Sequence, residues 1–195
     1  MGATGNHLCF DLVEESQKRN PGASICAAEG VVGFKDAAIL QDYHVLPQFR
    51  NAMAKFMGKV RGDRVSFDPD RIVMVRGAAG AHETIGFCLV DPGEALLVPT
   101  PYYPGYDHYF SRRVGVELVP IECDSANNFK LRMEDLEAAY EMAKQNNIRV
   151  KGLLLTNPSN PSGTILGGDT LRSVEIDDAE GNEHKRQGIL RGILD

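Results

Sequence analysis

Four short apolar runs, separated by stretches of helical periodicity, constrain the fold of this chain more than any other feature. Each run is rich in Val, Ile or Leu and has the length of a buried strand. The runs cover residues 72–75, 95–98, 116–121 and 150–155. Strands that alternate with helices form a mainly parallel sheet with helices on both faces. The sequence therefore predicts an α/β domain.

Three helices are predicted around these strands. Apolar residues recur at helical spacing over 47–61, and Gly62 follows as a stop signal. A second helix is expected from Gly77 through Leu89, directly after the first strand. The third covers 133–145, where Leu136 and Ala139 lie on one side.

Composition excludes several classes of function. With 43% hydrophobic and 25% charged residues among its 195, the chain resembles a soluble globular protein. A formal net charge of −6 argues against nucleic acid as a partner. No apolar run is long enough to span a membrane, and no secretory signal is recognisable, so a cytoplasmic protein is expected. The four cysteines contain no C-x-x-C pair, which argues against a zinc site.

Three segments that follow predicted strands carry the residues of chemical interest. The glycine-rich turn 77–80 opens a helix, which favours phosphate binding, although such turns also occur for packing reasons. Tyr102 and Tyr103 stand between two prolines, where they could stack on a flat ring or simply pack within the loop. The loop 157–164 contains two Asn-Pro pairs, which could be turn formers only. Together these segments suggest a phosphorylated aromatic cofactor.

Five segments of the chain resemble 1-aminocyclopropane-1-carboxylate (ACC) synthases, plant enzymes that depend on pyridoxal 5′-phosphate (PLP). They occur in the family's order, at residues 41–44, 67–74, 80–83, 98–105 and 156–161. The resemblance implies the large domain of a fold-type I PLP-dependent transferase, present here incompletely as its N-terminal part. It also implies conversion of S-adenosylmethionine into ACC, the precursor of ethylene, with release of methylthioadenosine by α,γ-elimination.

The resemblance also implies which residues contact the cofactor. Ala78, Ala79 and Gly80 would bind the PLP phosphate through their backbone N–H groups. Tyr103 would stack on the pyridine ring. Asn160 would donate a hydrogen bond to the phenolic oxygen of the ring.

The resemblance at Tyr43 also implies a quaternary structure. The tyrosine at this place in the family reaches across a dimer interface to the cofactor phosphate of the neighbouring subunit, so that the active site is shared. We therefore expect a homodimer, or a heterodimer with a full-length homologue.

The sequence departs from the family pattern at several positions near these residues. Ala79 stands where the family usually has threonine, and Arg76 brings a charge next to the glycine-rich turn. Gly5 replaces an acidic residue near the substrate, Val45 replaces a glycine, and Ser162 replaces a leucine. Because Ala79 lacks the threonine hydroxyl, one hydrogen bond to the phosphate would be lost. Such a bond is worth about 1.5–3 kcal/mol if charge-assisted.

No lysine in the chain matches the Schiff-base lysine of the family. The aspartate that pairs with the pyridine nitrogen and the arginine that binds the substrate carboxylate are unmatched as well. PLP chemistry uses the lysine both as the covalent anchor and as the base that takes the Cα proton. We therefore expect PLP to bind non-covalently at best, and we expect no catalysis by this chain alone.

Two interpretations of function remain open. The first is a truncated ACC synthase-like protein, or an aminotransferase-like relative with the same cofactor site. The second is a non-catalytic fragment that acts as a dimerisation partner of a full-length homologue. A generic nucleotide-binding α/β domain is disfavoured because no diagnostic phosphate loop is present.

The expected organisation has three parts. Residues 1–65 form an N-terminal segment with dimer-contact helices, and residues 66–172 form the partial PLP-binding domain. Residues 173–195 form a divergent, disordered tail, because charged residues crowd after Leu171 with little apolar periodicity.

Overall fold

The computed structural model describes residues 8–24, 26–39, 43–179 and 192–194. The chain divides into two compact units, residues 1–74 and 75–195. The first unit is helical and the second contains the sheet. Residues 66–74, expected in the larger domain, lie in the first unit, where the short turn Pro69–Arg71 packs against the helix at 47–60.

The first unit contains three α-helices within its described residues. They are α1 (Phe10–Arg19), α2 (Ala28–Ala38) and α3 (Pro47–Val60). Helix α3 confirms the helix predicted over 47–61. It begins at a proline, whose missing N–H needs no partner in the first turn, and the chain leaves it at Gly62 with a positive φ of 66°.

The buried face of α3 is not its most apolar one. Arg50, Ala54 and Gly58 are buried at a spacing of four residues. Ala54 has a small side chain and Gly58 has none, which leaves room for the following segment. The amide of Asp63 donates to the carbonyl of Gly58 at 2.9 Å. The apolar residues that supported the prediction are largely exposed; they include Phe49, Phe56 and Val60.

The second unit is a four-stranded parallel sheet with helical segments on both faces. Its strands are β1 (Ala95–Pro99), β2 (Glu117–Ile121), β3 (Val150–Thr156) and β4 (Gly192–Leu194), in the spatial order β2–β1–β3–β4. Its helical segments are α4 (Gly77–Leu89), a π-helical segment (Asp107–Arg112), α5 (Met133–Gln145) and α6 (Gly168–Ala179). The predicted α/β architecture is confirmed.

Alternating residues of the strands form two apolar cores, one on each side of the sheet. Leu97 and Leu155 point to the side covered by α5, where Ala143 is fully buried. Leu96 points to the opposite side, where it packs with Phe110 of the π-helical segment. Successive side chains of a strand point to opposite faces of the sheet. A strand that is buried on both faces therefore has a continuous apolar sequence.

The strand predicted at 72–75 is absent. This segment follows the turn Pro69–Arg71 without forming a ladder with any described strand, and Val73 and Val75 are exposed. Its composition suits a strand, but composition alone does not supply a partner strand.

Parts of the expected C-terminal tail are among the described residues. Helix α6 continues past residue 173 to Ala179, and Val174 packs against the core on the α5 side. Strand β4 pairs with β3, with Gly192 opposite Leu154. Residues 180–191 of the expected tail lie outside the described residues.

Candidate functional site

The first turn of α4 forms a cradle of backbone N–H groups. Gly77 begins the helix with a positive φ of 71°, and its amide donates to the Val75 carbonyl at 2.8 Å, closing a tight turn at Arg76. Ala78 and Ala79 follow in the first turn, where N–H groups lack intrahelical acceptors, whereas Gly80 lies at the position whose N–H is the first to bond within the helix. No side chain caps this end of the helix. The turn is therefore suited to an anion, because the partial positive charge of the helix also points there.

The side chain of Arg76 extends along α4 toward Glu83. Its Nη2 lies 3.3 Å from Oε2 of Glu83, and Nε of Arg113 lies 2.9 Å from Oε1 of the same carboxylate. Two guanidinium groups thus share one carboxylate, so this cluster carries a net positive charge on α4 and the adjoining segment.

Tyr103 presents a partly exposed ring, 37% accessible, just beyond the carboxyl end of β1. The ring covers Gly105 so closely that any Cβ there would overlap it. Its edge meets the ring of Tyr106, with centroids 5.6 Å apart and planes at 87°. The Tyr103 hydroxyl raises the pKa of the neighbouring Tyr109. Tyr103 is therefore fixed by aromatic neighbours and keeps part of its ring exposed.

Asn160 lines a cavity of about 30 Å³ at the carboxyl ends of β1 and β3, where Thr100, Tyr102 and Thr156 also line it. This volume suits a water molecule and is too small for an aromatic ring. Asn160 is exposed at the rim. Tyr103 does not line this cavity, so the structure brings Asn160 together with Tyr102.

The two Asn-Pro pairs of this loop differ in role. Oδ1 of Asn157 accepts a hydrogen bond from the Leu166 amide at 3.0 Å, which ties the end of β3 to the segment before α6. Within the described part of the chain, the side-chain amide of Asn160 makes no hydrogen bond to another protein group. The peptide bonds Asn157–Pro158 and Asn160–Pro161 are both cis. Asn160 is thus the side chain that remains available to a ligand.

Tyr106 joins these elements, although sequence patterns alone did not identify it as a site residue. It is 3% exposed, and its hydroxyl lies 2.5 Å from Oγ1 of Thr156 at the end of β3. Its ring contacts Tyr103 on one side and His82 of α4 on another, with centroids 5.6 and 5.2 Å apart. The signal was present as aromatic residues at helical spacing after Tyr103, namely Tyr106, Tyr109 and Phe110.

His82 is the buried polar residue of α4. It is 5% exposed, stacks on Tyr109 with centroids 5.6 Å apart, and meets Tyr106 and Phe110 edge-on. Neither ring nitrogen has a hydrogen-bond partner. Burial lowers the pKa of His82, so the neutral imidazole is the form this apolar setting favours.

Tyr43 lies in the first unit, whereas the other five predicted residues lie in the second. It occupies a turn before α3 and is 92% exposed. An aromatic side chain this exposed contributes little to the stability of its own unit. It is therefore free to contact another molecule.

No described lysine lines the cavity at Asn160. Lys151, near the start of β3, lies 3.7 Å from the buried carboxylate of Glu94, at the opposite end of the strand from the cavity.

No group of three or more metal-ligating side chains occurs in the described segments. No helix in these segments is long and apolar enough to cross a bilayer.

A family model described as aminotransferase class I and II matches residues 5–179. The chain therefore belongs to the class I and II aminotransferase family. Solved structures agree on the fold. An aspartate aminotransferase from Thermus thermophilus with maleate has a TM-score of 0.62 at 22% identity, over 87% of this chain and 39% of that one. An aminotransferase from Eubacterium rectale gives 0.69 at 19% identity, over 92% and 41%.

Within this family the chain is similar to ACC synthases, which confirms the resemblance seen in the motifs. The soybean (Glycine max) ACC synthase is 62% identical over 174 residues, covering 89% of this chain and 36% of the relative. The Vigna radiata enzyme is 61% identical over 89% and 47%, and ACC synthase 6 of Arabidopsis thaliana is 59% identical over 89% and 35%. The chain thus spans between a third and a half of the length of these relatives.

Proposed function

We propose that this chain carries the phosphate and ring contacts of a PLP site in an ACC synthase-like protein. The observation that carries the proposal is the uncapped first turn of α4, which bears Ala78, Ala79 and Gly80. It is supported by 62% identity to an ACC synthase. The family function is conversion of S-adenosylmethionine to ACC and methylthioadenosine.

The residues of this chain would act by binding and orientation. The amides of Ala78, Ala79 and Gly80 would hold the PLP phosphate, and the ring of Tyr103 would pack on the cofactor ring. Asn160 would donate to the phenolic oxygen, which stabilises its anionic form. When bound, PLP supplies an electron sink for the carbanion formed at the substrate Cα.

A proton acceptor at the substrate Cα would have to come from outside the described residues. No described lysine lines the cavity beside Asn160, and His82 is enclosed by aromatic rings. We therefore propose non-covalent PLP binding and no turnover for this chain by itself. An aminotransferase-like activity of the whole protein would use the same cofactor contacts.

A second candidate function is that of a dimerisation partner. The exposed ring of Tyr43 favours it, because that residue would contact the phosphate bound by a full-length homologue. Co-expression with such a homologue and purification through a tag on this chain would test it. Recovery of the free chain alone would contradict the partner role.

The phosphate cradle can be tested with a variant that blocks it without weakening the helix. Ala78→Asp places a carboxylate in the first turn, where it stabilises the helix dipole and repels phosphate. The matched control is Gln48→Asp, at the same exposed second position of α3. We expect PLP binding, measured by absorbance titration, to be lost in Ala78→Asp and kept in Gln48→Asp.

Two further measurements define what kind of site this is. Pyridoxal, which lacks the phosphate, should bind far more weakly than PLP. Borohydride reduction followed by peptide mapping should give no site-specific pyridoxyl-lysine. A single lysine labelled stoichiometrically, and protected by S-adenosylmethionine, would contradict the proposal that this chain binds PLP only non-covalently.

A further inference from the structure

The turn that carries Tyr43 contains a backbone conformation unfavourable for its residue. Val45 has a φ of 87°, a region that β-branched residues strongly avoid. A turn with such strain persists only when surrounding contacts hold it. Contacts within the first unit must therefore restrain Val45.

Arg50 supplies the restraint. Its Nε donates to the carbonyl oxygen of Val45 at 3.2 Å, from the first turn of α3. The amide of Arg50 donates to the carbonyl of Leu46 at 3.1 Å, which fixes the entry of the chain into the helix. Arg50 thus holds the turn through both its side chain and its backbone.

The guanidinium of Arg50 is also anchored to a second turn, at residues 68–70. Nη1 donates to the carbonyl of Pro69 at 3.0 Å and to Oδ1 of Asp70 at 3.1 Å. Asp68 caps this second turn, accepting from the Asp70 amide at 2.9 Å. Arg50 is 5% exposed, so its planar fork is held in one orientation between two turns.

We propose that Arg50 is a positioning residue that locks the strained turn at Val45 and so presents Tyr43 outward. The purpose assigned to Tyr43, contact with a phosphate bound by another subunit, rests on the proposed function. The restraint of the turn by Arg50 does not. The two ideas can therefore fail separately.

The chain contains no tryptophan, so Tyr43→Trp provides a single fluorescent reporter at this exposed position. We would introduce Arg50→Met and Arg50→Lys into that background and record time-resolved anisotropy of the indole. The matched control is Arg71→Met, which removes an exposed arginine from the neighbouring turn. Thermal unfolding would be recorded for each variant.

Loss of the restraint should appear as motion of the indole reporter in the folded protein. In Arg50→Met we expect the amplitude of its nanosecond motion to rise about twofold, with no change in Arg71→Met. Arg50→Lys should lie between, because lysine keeps the charge but not the fork. If Arg50→Met does not fold, Asp70→Asn tests the same anchor and should loosen the indole reporter to a smaller extent.

A lower melting temperature with unchanged motion of the indole reporter in these variants would overturn the inference, since Arg50 would then be merely structural. The proposed function is tested apart from this, by PLP titration of Tyr43→Phe and Arg50→Met without the reporter. Equal weakening in the two variants supports the phosphate contact. Unchanged PLP affinity in Tyr43→Phe would remove that contact from the proposal and leave the restraint standing.

Discussion

The hydroxyl of Tyr106 and Oγ1 of Thr156, fifty residues apart in sequence, lie 2.5 Å from one another. Tyr106 precedes the π-helical segment, and Thr156 ends β3. The ring of Tyr106 also contacts His82 of α4 and Tyr103. One buried tyrosine therefore links helix α4, whose first turn is the proposed phosphate cradle, with the exposed ring of Tyr103 and the strand that leads to Asn160.

Removing the hydroxyl should measure the strength of this link. We expect Tyr106→Phe to lower the free energy of unfolding by about 1 kcal/mol, since one buried hydrogen bond is lost while the ring stays packed. In urea unfolding, Thr156→Val should show coupling with Tyr106→Phe in a double-mutant cycle. Tyr140→Phe, on an exposed part of α5, is the control and should be neutral. Additive effects of the two core changes would mean that the hydroxyls do not interact.

His82 should make the stability of the second unit depend on pH. The pKa of a free histidine is 6.5, and burial among Tyr106, Tyr109 and Phe110 lowers it in the folded state. Below pH 6.5 the unfolded chain therefore binds a proton that the folded chain does not. The stabilisation is present above that pH and is lost as the pH falls.

Replacement by an aromatic residue without a titrating group should remove this dependence. Urea midpoints measured between about pH 5 and pH 7.5 should vary less in His82→Phe than in the wild type. His108→Asn, at an exposed position, should keep the wild-type profile. Identical profiles for His82→Phe and wild type would place the pH dependence on other groups.

Much of this architecture could be predicted because local pattern and tertiary packing agree. Helix α5 occupies the predicted residues 133–145, and β3 covers the predicted run and extends it to Thr156. The segment 72–75 has the composition of a strand, but a ladder also needs a partner strand, which no local pattern encodes. In α3 the hydrogen bonds of Arg50 decide the buried face, and such long-range contacts have no periodicity.

The candidate site divides in the same way. Gly77, at the start of α4, could be placed from sequence because a glycine-rich turn before a helix has a local signature. Tyr106 could not be assigned a role, because its partner Thr156 is distant in the chain. The roles of Tyr103 and Asn160 came from the resemblance, and they stay predictions.

The missing hydroxyl at position 79 offers a test by restoration. We expect Ala79→Thr to tighten binding of PLP by about tenfold or more, because a charge-assisted hydrogen bond to phosphate is worth about 1.5–3 kcal/mol. Ala79→Val has the same shape without the hydroxyl and should show no gain. Absorbance titration of both variants would measure the difference. Equal affinity in the two would mean that the phosphate does not reach this turn.

The loop after β3 separates a ligand contact from a structural one. Asn157→Ala removes the hydrogen bond to the Leu166 amide and should lower the free energy of unfolding by about 1 kcal/mol. Asn160→Ala removes no protein hydrogen bond within the described residues, so its stability should match the wild type. Its PLP affinity should instead fall by about tenfold, the effect of one lost hydrogen bond to a charged oxygen. Loss of stability in Asn160→Ala, with unchanged PLP affinity, would make this asparagine a turn residue and leave the ring oxygen to another donor.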